Sequence, residues 1–310
     1  MKKAIIDLGT NTFHLLIIEQ RGSCVEQIYK DHVAAKIGQS GINQGVIAPQ
    51  AIVRAVGVLR LFKQKIDEYQ IDLANVTAIG TSAIRNASNK IEFCQIVENE
   101  TGIRIQIISG EREADLIYGG VKLALDLETE PSLIMDIGGG SVEFIIANAD
   151  RIYWKQSFEI GGQRLMEKFM TTDPISLQAV RRLNTYFQEQ LLALHNAIHQ
   201  YAPTVLVGSS GAFDTLVDID FINRVGELPD VKQTNFDLSV TGFMRIYGLL
   251  VTKNRAERMA VGGMIELRVD MIVVAVVLIN YVLTTFDIKH IKCSTYALKE
   301  GIMRAVTLSQ

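Results

Sequence analysis

"MKKAIIDLGTN", residues 1–11, and "SLIMDIGGGS", residues 132–141, share one arrangement: an apolar run meets an aspartate, passes one more apolar residue, and turns on glycine into small polar side chains. Asp7 and Asp136 therefore stand at equivalent points of two strand-to-turn junctions. Short apolar runs bounded by glycine and hydroxyl residues read as strands that close in tight turns. The surroundings of these two turns decide the fold.

From the first turn outward, strand-like runs at 3–8, 13–19 and 23–30 precede a helix-period segment at 48–69. A strand at 74–80, a helix near 89–100, a strand at 104–108 and a helix at 110–125 follow, giving the order βββαβαβα. After "DLETEPS" the order recurs: strands at 133–137, 142–148 and 151–157, helical stretches through 160–200, and a strand at 204–208. Helices through 285, a strand at 288–293 and a helix from 296 complete the second set. The expectation is a duplicated α/β protein with domains at 1–124 and 125–310, its last helix, about 296–310, packing back on the first domain. Duplication predicts that the Asp7 and Asp136 turns face one interdomain cleft, a usual place for ligands.

Composition narrows the class. With 310 residues and 48% hydrophobic content, the chain can bury more than one core. A net charge of -3 gives no global attraction for nucleic acid or membrane, so an anionic ligand needs a local basic patch. The most apolar stretch, residues 271–286, falls short of the roughly 20 residues that span a bilayer and reads as a buried helix. Cys24, Cys94 and Cys293 are odd in number and far apart, which fits a reducing cytoplasm rather than a disulfide framework or zinc site. No secretory leader is expected from the short "AII" after the two N-terminal lysines. His195 and His199 share a helical face without a third ligand and read as solvated surface.

The turns themselves suggest chemistry. Gly9, Thr10, Asn11 and Thr12 in the first, and Gly138, Gly139, Gly140 and Ser141 in the second, combine freed backbone N–H groups with small polar side chains, a nest for phosphate oxygens. Gly208, Ser209, Ser210 and Gly211 form a third glycine turn between a strand and a helix, where anions also settle. Asp7 and Asp136 beside these nests suit a hydrated magnesium ion, which takes one or two carboxylates together with water and phosphate. Either Asp-x-Gly alone is commonly a plain hairpin turn, but two at matching positions favour function.

Several segments in order give the chain a wider resemblance: "AIIDLGTNTFHLLI", "GTSAIRNA" at 80–87, "IISGEREADLIYGGV" at 107–121, "IMDIGGGSVEF" at 134–144, "IGGQRL" at 160–165, "VGSSGA" at 207–212 and "YALKEGIM" at 296–303. Together they resemble the exopolyphosphatase and guanosine pentaphosphate phosphohydrolase family. Its superfamily takes in sugar kinases, actin and heat-shock chaperones. Thr10 and Thr12 replace the usual serines, Val142 replaces a threonine, and "KCSTYALKEG" lacks the glycine or aspartate often found before the last helix. The chain resembles the short, two-domain form of the family.

The resemblance implies two actin-like, ribonuclease H-like domains and magnesium-dependent hydrolysis of a terminal phosphoryl group. The substrate it implies is inorganic polyphosphate or, alternatively, guanosine pentaphosphate, and it suggests a homodimer. Arg85 becomes the candidate guanidinium for the phosphate oxygens, against the plain reading of a surface arginine in a loop. The family pattern maps the water-activating base onto Glu113. On a helical wheel Glu111 and Glu113 flank the apolar face of Ala114, Ile117, Tyr118, Val121 and Leu125, so wheel geometry leaves both open, and first-turn acids also stabilise a helix dipole. Glu143 is a further candidate for the magnesium side, whereas Arg164 and Arg268 read equally as ion-pair partners. A sugar or acid kinase, an actin-type assembly protein, and a catalytically silent sensor of the alarmone are the rival readings.

Overall fold

The computed structural model describes residues 1–22 and 24–308. The strand expected at 23–30 begins at Ser23, outside the described residues, as do the last two residues of the expected final helix. The chain forms two compact units: Met1–Leu116 with the segment from Leu298 onward, and Ile117–Ala297. The division falls inside a helix, earlier than the position 124 read from the sequence, and the last helix groups with the first unit.

In the first unit, β1 (Lys2–Leu8), β2 (Thr12–Arg21) and β3 (Cys24–Ala34) form an antiparallel meander. Then β4 (Val76–Gly80) and β5 (Ile105–Ile107) add in parallel, in the order β3-β2-β1-β4-β5. The crossover to β4 is α1 (Pro49–Glu68), with proline in its first turn, where a missing N–H costs nothing. Ala51, Ala55, Leu59, Phe62 and Ile66 recur every three or four residues and are buried against the sheet. A four-residue helix, α2 (Ser82–Arg85), follows β4, then α3 (Lys90–Thr101) and, after β5, α4 (Gly110–Ala124). The last helix, α12 (Leu298–Leu308), meets α4 where a Cβ on Gly301 would lie 1.8 Å from the Leu116 carbonyl oxygen, so only glycine permits this approach.

The second unit repeats the scheme. Its meander is β6 (Ser132–Ile137), β7 (Val142–Ala147) and β8 (Ile152–Phe158), followed by α5 (Gly162–Phe169), α6 (Leu177–Gln190) and α7 (Leu192–Tyr201). After β9 (Val205–Ser209) come α8 (Gly211–Val225), β10 (Asn235–Ser239), α9 (Val240–Thr252), α10 (Arg255–Met259), α11 (Met271–Thr285) and β11 (His290–Ser294). The sheet order β10-β11-β9-β6-β7-β8 is the first unit's order with one added edge strand.

That added strand, β10, departs from expectation. In "NFDLS" only Phe236 and Leu238 are buried, so the segment is a short edge strand with one wet face, lost in sequence among long helical stretches. The apolar segment behaves as expected: nearly every residue of α11 from Ile272 to Leu283 is buried in the second core. Among the described residues no helix is long and apolar enough to cross a membrane. His195 corrects the reading of a solvated pair: its Nε2 lies 2.9 Å from the Tyr281 hydroxyl and its ring packs edge-on to Phe286, while His199 is exposed. The periodicity of α7 put both on one face but could not show that α11 covers its near end.

Candidate active site

In the first unit the candidate residues gather at the carboxyl ends of β1, β4 and β5, where α/β sheets place their ligands. Asp7 is paired with His14 on β2 and with Ile79 on β4. Beyond it Gly9 allows the tight turn, since a Cβ there would lie 2.8 Å from the Thr12 carbonyl oxygen. Thr10, Asn11 and Thr12 are buried, and the Thr12 hydroxyl has no hydrogen-bond partner among the described residues. A second loop clamps the turn: the N–H groups of Lys36 and Gly38 donate to the carbonyls of Asn11 (2.8 Å) and Thr10 (3.0 Å). Lys36 has a φ of 46°, a left-handed conformation uncommon outside glycine. Sequence reasoning passed over this loop, although the spacing of Gly38 and Gly41 in "KIGQSG" was a signal for it.

The strand β4 delivers the next group. Thr81 Oγ1 donates to the Leu8 carbonyl at 3.4 Å, and α2 then presents Arg85. Arg85 Nη1 donates to Glu113 Oε2 at 2.7 Å and to the Ile108 carbonyl at 3.3 Å. Glu113 is 6% exposed, whereas Glu111, two residues earlier on α4, is exposed to solvent. The tertiary structure thus buries Glu113 and leaves Glu111 in solvent, a difference the helical wheel does not show, and it places Arg85 in a partly buried ion pair.

In the second unit the equivalent strand end is denser. Asp136 on β6 stands opposite Glu143 on β7 and beside Ser209 on β9. Like charges directly across a ladder are unfavourable, so each buried carboxylate needs its own donors. Asp136 accepts from Ser209 Oγ at 2.7 Å and from Ser210 Oγ at 2.7 Å and 2.8 Å; Glu143 accepts from Ser141 Oγ at 2.7 Å and Ser157 Oγ at 2.6 Å. Ser157 was not foreseen, because its role depends on the register of β8 against β7. Between the two carboxylates, the Gly138–Ser141 turn is closed by a Gly138 N–H to Ser141 carbonyl bond of 3.0 Å. It is stitched to the start of α5, where Gly161, Gly162 and Gln163 donate to the carbonyls of Gly140, Gly138 and Gly139. A Cβ on Gly161 would come within 2.5 Å of the Gly139 and Gly140 backbone.

Ser210 leads into α8 with φ 70° and ψ 170°, a region nearly reserved for glycine, so the hydroxyl on Asp136 is held at a cost in backbone strain. The next residue, Gly211, lies under the Arg268 guanidinium, where a Cβ would be 2.0 Å from Nη2. Burial pulls the Arg268 pKa below the ordinary arginine value, and the carboxylates of Asp214 and Asp136 oppose that pull. Arg164 Nε donates to the Gly140 carbonyl at 2.8 Å and pairs with Glu159 at 3.0 Å. Both arginines left aside in the sequence therefore adjoin the second unit's loops.

No cluster of three or more His, Cys, Asp or Glu side chains forms a metal cage among the described residues. The donor set of Asp136 and Glu143, adjacent and each oriented by two hydroxyls, fits a cation that keeps much of its water. It lacks the histidine or cysteine ligands that most zinc sites include.

The model of the Ppx/GppA phosphatase family matches residues 16–310, which takes in Arg85, Glu113, Asp136 and the second and third glycine turns. A bifunctional 3-dehydroquinate synthase/phosphatase of Fusobacterium nucleatum is 36% identical over 179 residues, 56% of this chain but 27% of that protein. This chain therefore spans about a quarter of that relative's length. A crystal structure of an exopolyphosphatase from Cytophaga hutchinsonii is 43% identical, with 99% of this chain and 97% of that chain covered and a TM-score of 0.94. The PPX-GPPA enzyme of Aquifex aeolicus, 24% identical over 98% of this chain and 99% of its own, shares the fold with a TM-score of 0.78.

Proposed function

The chain belongs to the Ppx/GppA phosphatase family, and on that premise we propose that it is an exopolyphosphatase that cleaves the terminal phosphoanhydride of inorganic polyphosphate with water, releasing orthophosphate. The observation that carries this reading is the Arg85–Glu113 pair at the end of the first unit's sheet. Phosphoryl transfer asks a protein for positioning and charge stabilisation more than for covalent chemistry. In this reading Glu113 orients the attacking water and accepts its proton. Arg85 holds the carboxylate in place and adds positive charge for the phosphate oxygens.

In this reading the glycine turns at Gly9–Thr12, Gly138–Ser141 and Gly208–Gly211 bind phosphate oxygens through backbone N–H groups. Asp7, Asp136 and Glu143 are the proposed carboxylates on the magnesium side. Magnesium bound there would neutralise charge on the bridging and terminal oxygens. Serines 209, 210, 141 and 157 aim the lone pairs of Asp136 and Glu143. Arg268 adds fixed positive charge beside Asp136. A homodimer working in a reducing cytoplasm belongs to the same reading.

The test is orthophosphate release, with and without magnesium, from long polyphosphate, tripolyphosphate, guanosine pentaphosphate and ATP. Efficient release from polyphosphate is expected. A preference for guanosine pentaphosphate would reassign the substrate within the family, and transfer from ATP to an added acceptor would replace hydrolysis by kinase chemistry.

A further inference from the structure

A groove of about 390 Å³ on the second unit, between the end of α5 and α6, is used by none of the residues assigned so far. Lys168, Arg181, Arg182, Phe169, Tyr186 and Glu189 line it, three cations against one carboxylate. Lys168 Nζ lies 4.1 Å from the Tyr186 ring centroid and 5.5 Å from that of Phe169, and Arg182 Cζ lies 5.6 Å from the Phe169 centroid. None of the three cations is paired with a carboxylate among the described residues. The rings therefore steady cations whose charge is left for something else, since a cation over an aromatic face is held without being neutralised.

Its place in the unit points to the occupant. The first residue of α5, Gly162, donates to the Gly138 carbonyl at 2.9 Å, and its last, Phe169, is in the groove wall. At 1.5 Å per residue the groove lies roughly 10 Å along α5 from the glycine turn. We infer that it is an accessory site for an extended phosphate chain, holding polyphosphate several residues away from the end being cleaved. This rests on the polyphosphatase reading. The ring faces are already taken by Lys168 and Arg182, which disfavours base stacking and so argues against a nucleic acid. An unbranched polyanion needs only fixed, unpaired cations, and the groove supplies those.

The test uses the full chain with Lys168, Arg181 and Arg182 all changed to alanine, substitutions at exposed side chains. With long polyphosphate, KM is expected to rise about tenfold with kcat unchanged, and the salt dependence of binding to weaken; with tripolyphosphate both constants stay at wild-type values. Equal effects on long and short chains, or none on either, would overturn the accessory site. Binding of labelled long polyphosphate, read by anisotropy, separates the two layers. Loss of binding in the triple variant of a protein that does not hydrolyse polyphosphate would keep the groove and reject the activity. Wild-type protein that binds an RNA oligonucleotide through the groove but not polyphosphate would reject the groove's assignment.

Discussion

Arg85 Nη1 and Glu113 Oε2 lie 2.7 Å apart with side chains only 15% and 8% exposed, so a four-residue helix and the first turn of α4 are joined by an ion pair largely out of water. Deleting one member of such a pair strands a charge and costs about 3–5 kcal/mol; a neutral isostere keeps a hydrogen-bond acceptor in place but not the countercharge. Glu113→Gln retains an oxygen for Arg85 but cannot take a proton from water. It is expected to fold like the parent by circular dichroism and to lose phosphate release by about 10²- to 10⁴-fold at saturating magnesium. Turnover near the wild-type rate would remove Glu113 from the role of base.

The hydroxyl pairs on Asp136 and Glu143 predict a graded magnesium response. Asp136→Asn should raise the magnesium concentration giving half-maximal activity, and Ser209→Ala, which only loosens Asp136, should raise it less, by about 10-fold. Magnesium titrations of phosphate release check this. Superimposable curves for all three proteins would place the metal elsewhere.

Backbone strain at Ser210 makes an inverted stability order. Ser210→Gly and Ser210→Ala both delete the hydroxyl on Asp136, so they differ mainly in how they bear φ 70° and ψ 170°. Glycine ordinarily loses to alanine, but here it should be the more stable variant by about 1–2 kcal/mol. Chemical denaturation of the two proteins measures the difference. An alanine variant as stable as the glycine one would mean that the strain is absent.

His195 supplies a pH dependence. Burial lowers its pKa from the ordinary value of about 6.5, so between that value and the depressed one the unfolded chain holds more protons than the folded chain. Its contribution is present above the unfolded value and is lost as pH falls through the folded one. Urea midpoints measured from pH 7.5 down to 5 should decline, and His195→Gln should flatten the decline. Equal slopes for parent and variant would sink this account.

Some of this was legible in one dimension. The aspartate–glycine turns, the βββαβαβα order in both halves and the buried α11 follow from local patterns: apolar runs, glycine positions and helical period. β10 was missed because two buried residues alternating with three wet ones carry too little signal inside a helical region. His195 was misread because its environment comes from Tyr281 and Phe286, far along the chain.

Sequence alone therefore settled where the chain turns and which side chains the turns carry, since a tight turn is decided by the few residues within it. Only the tertiary structure decided that Glu113 and not Glu111 is buried beside Arg85, and that Ser210 reaches back 74 residues to Asp136. Those choices depend on the register of parallel strands and on which helix covers which face. No local pattern encodes them, because the partners become neighbours only once the sheet has closed.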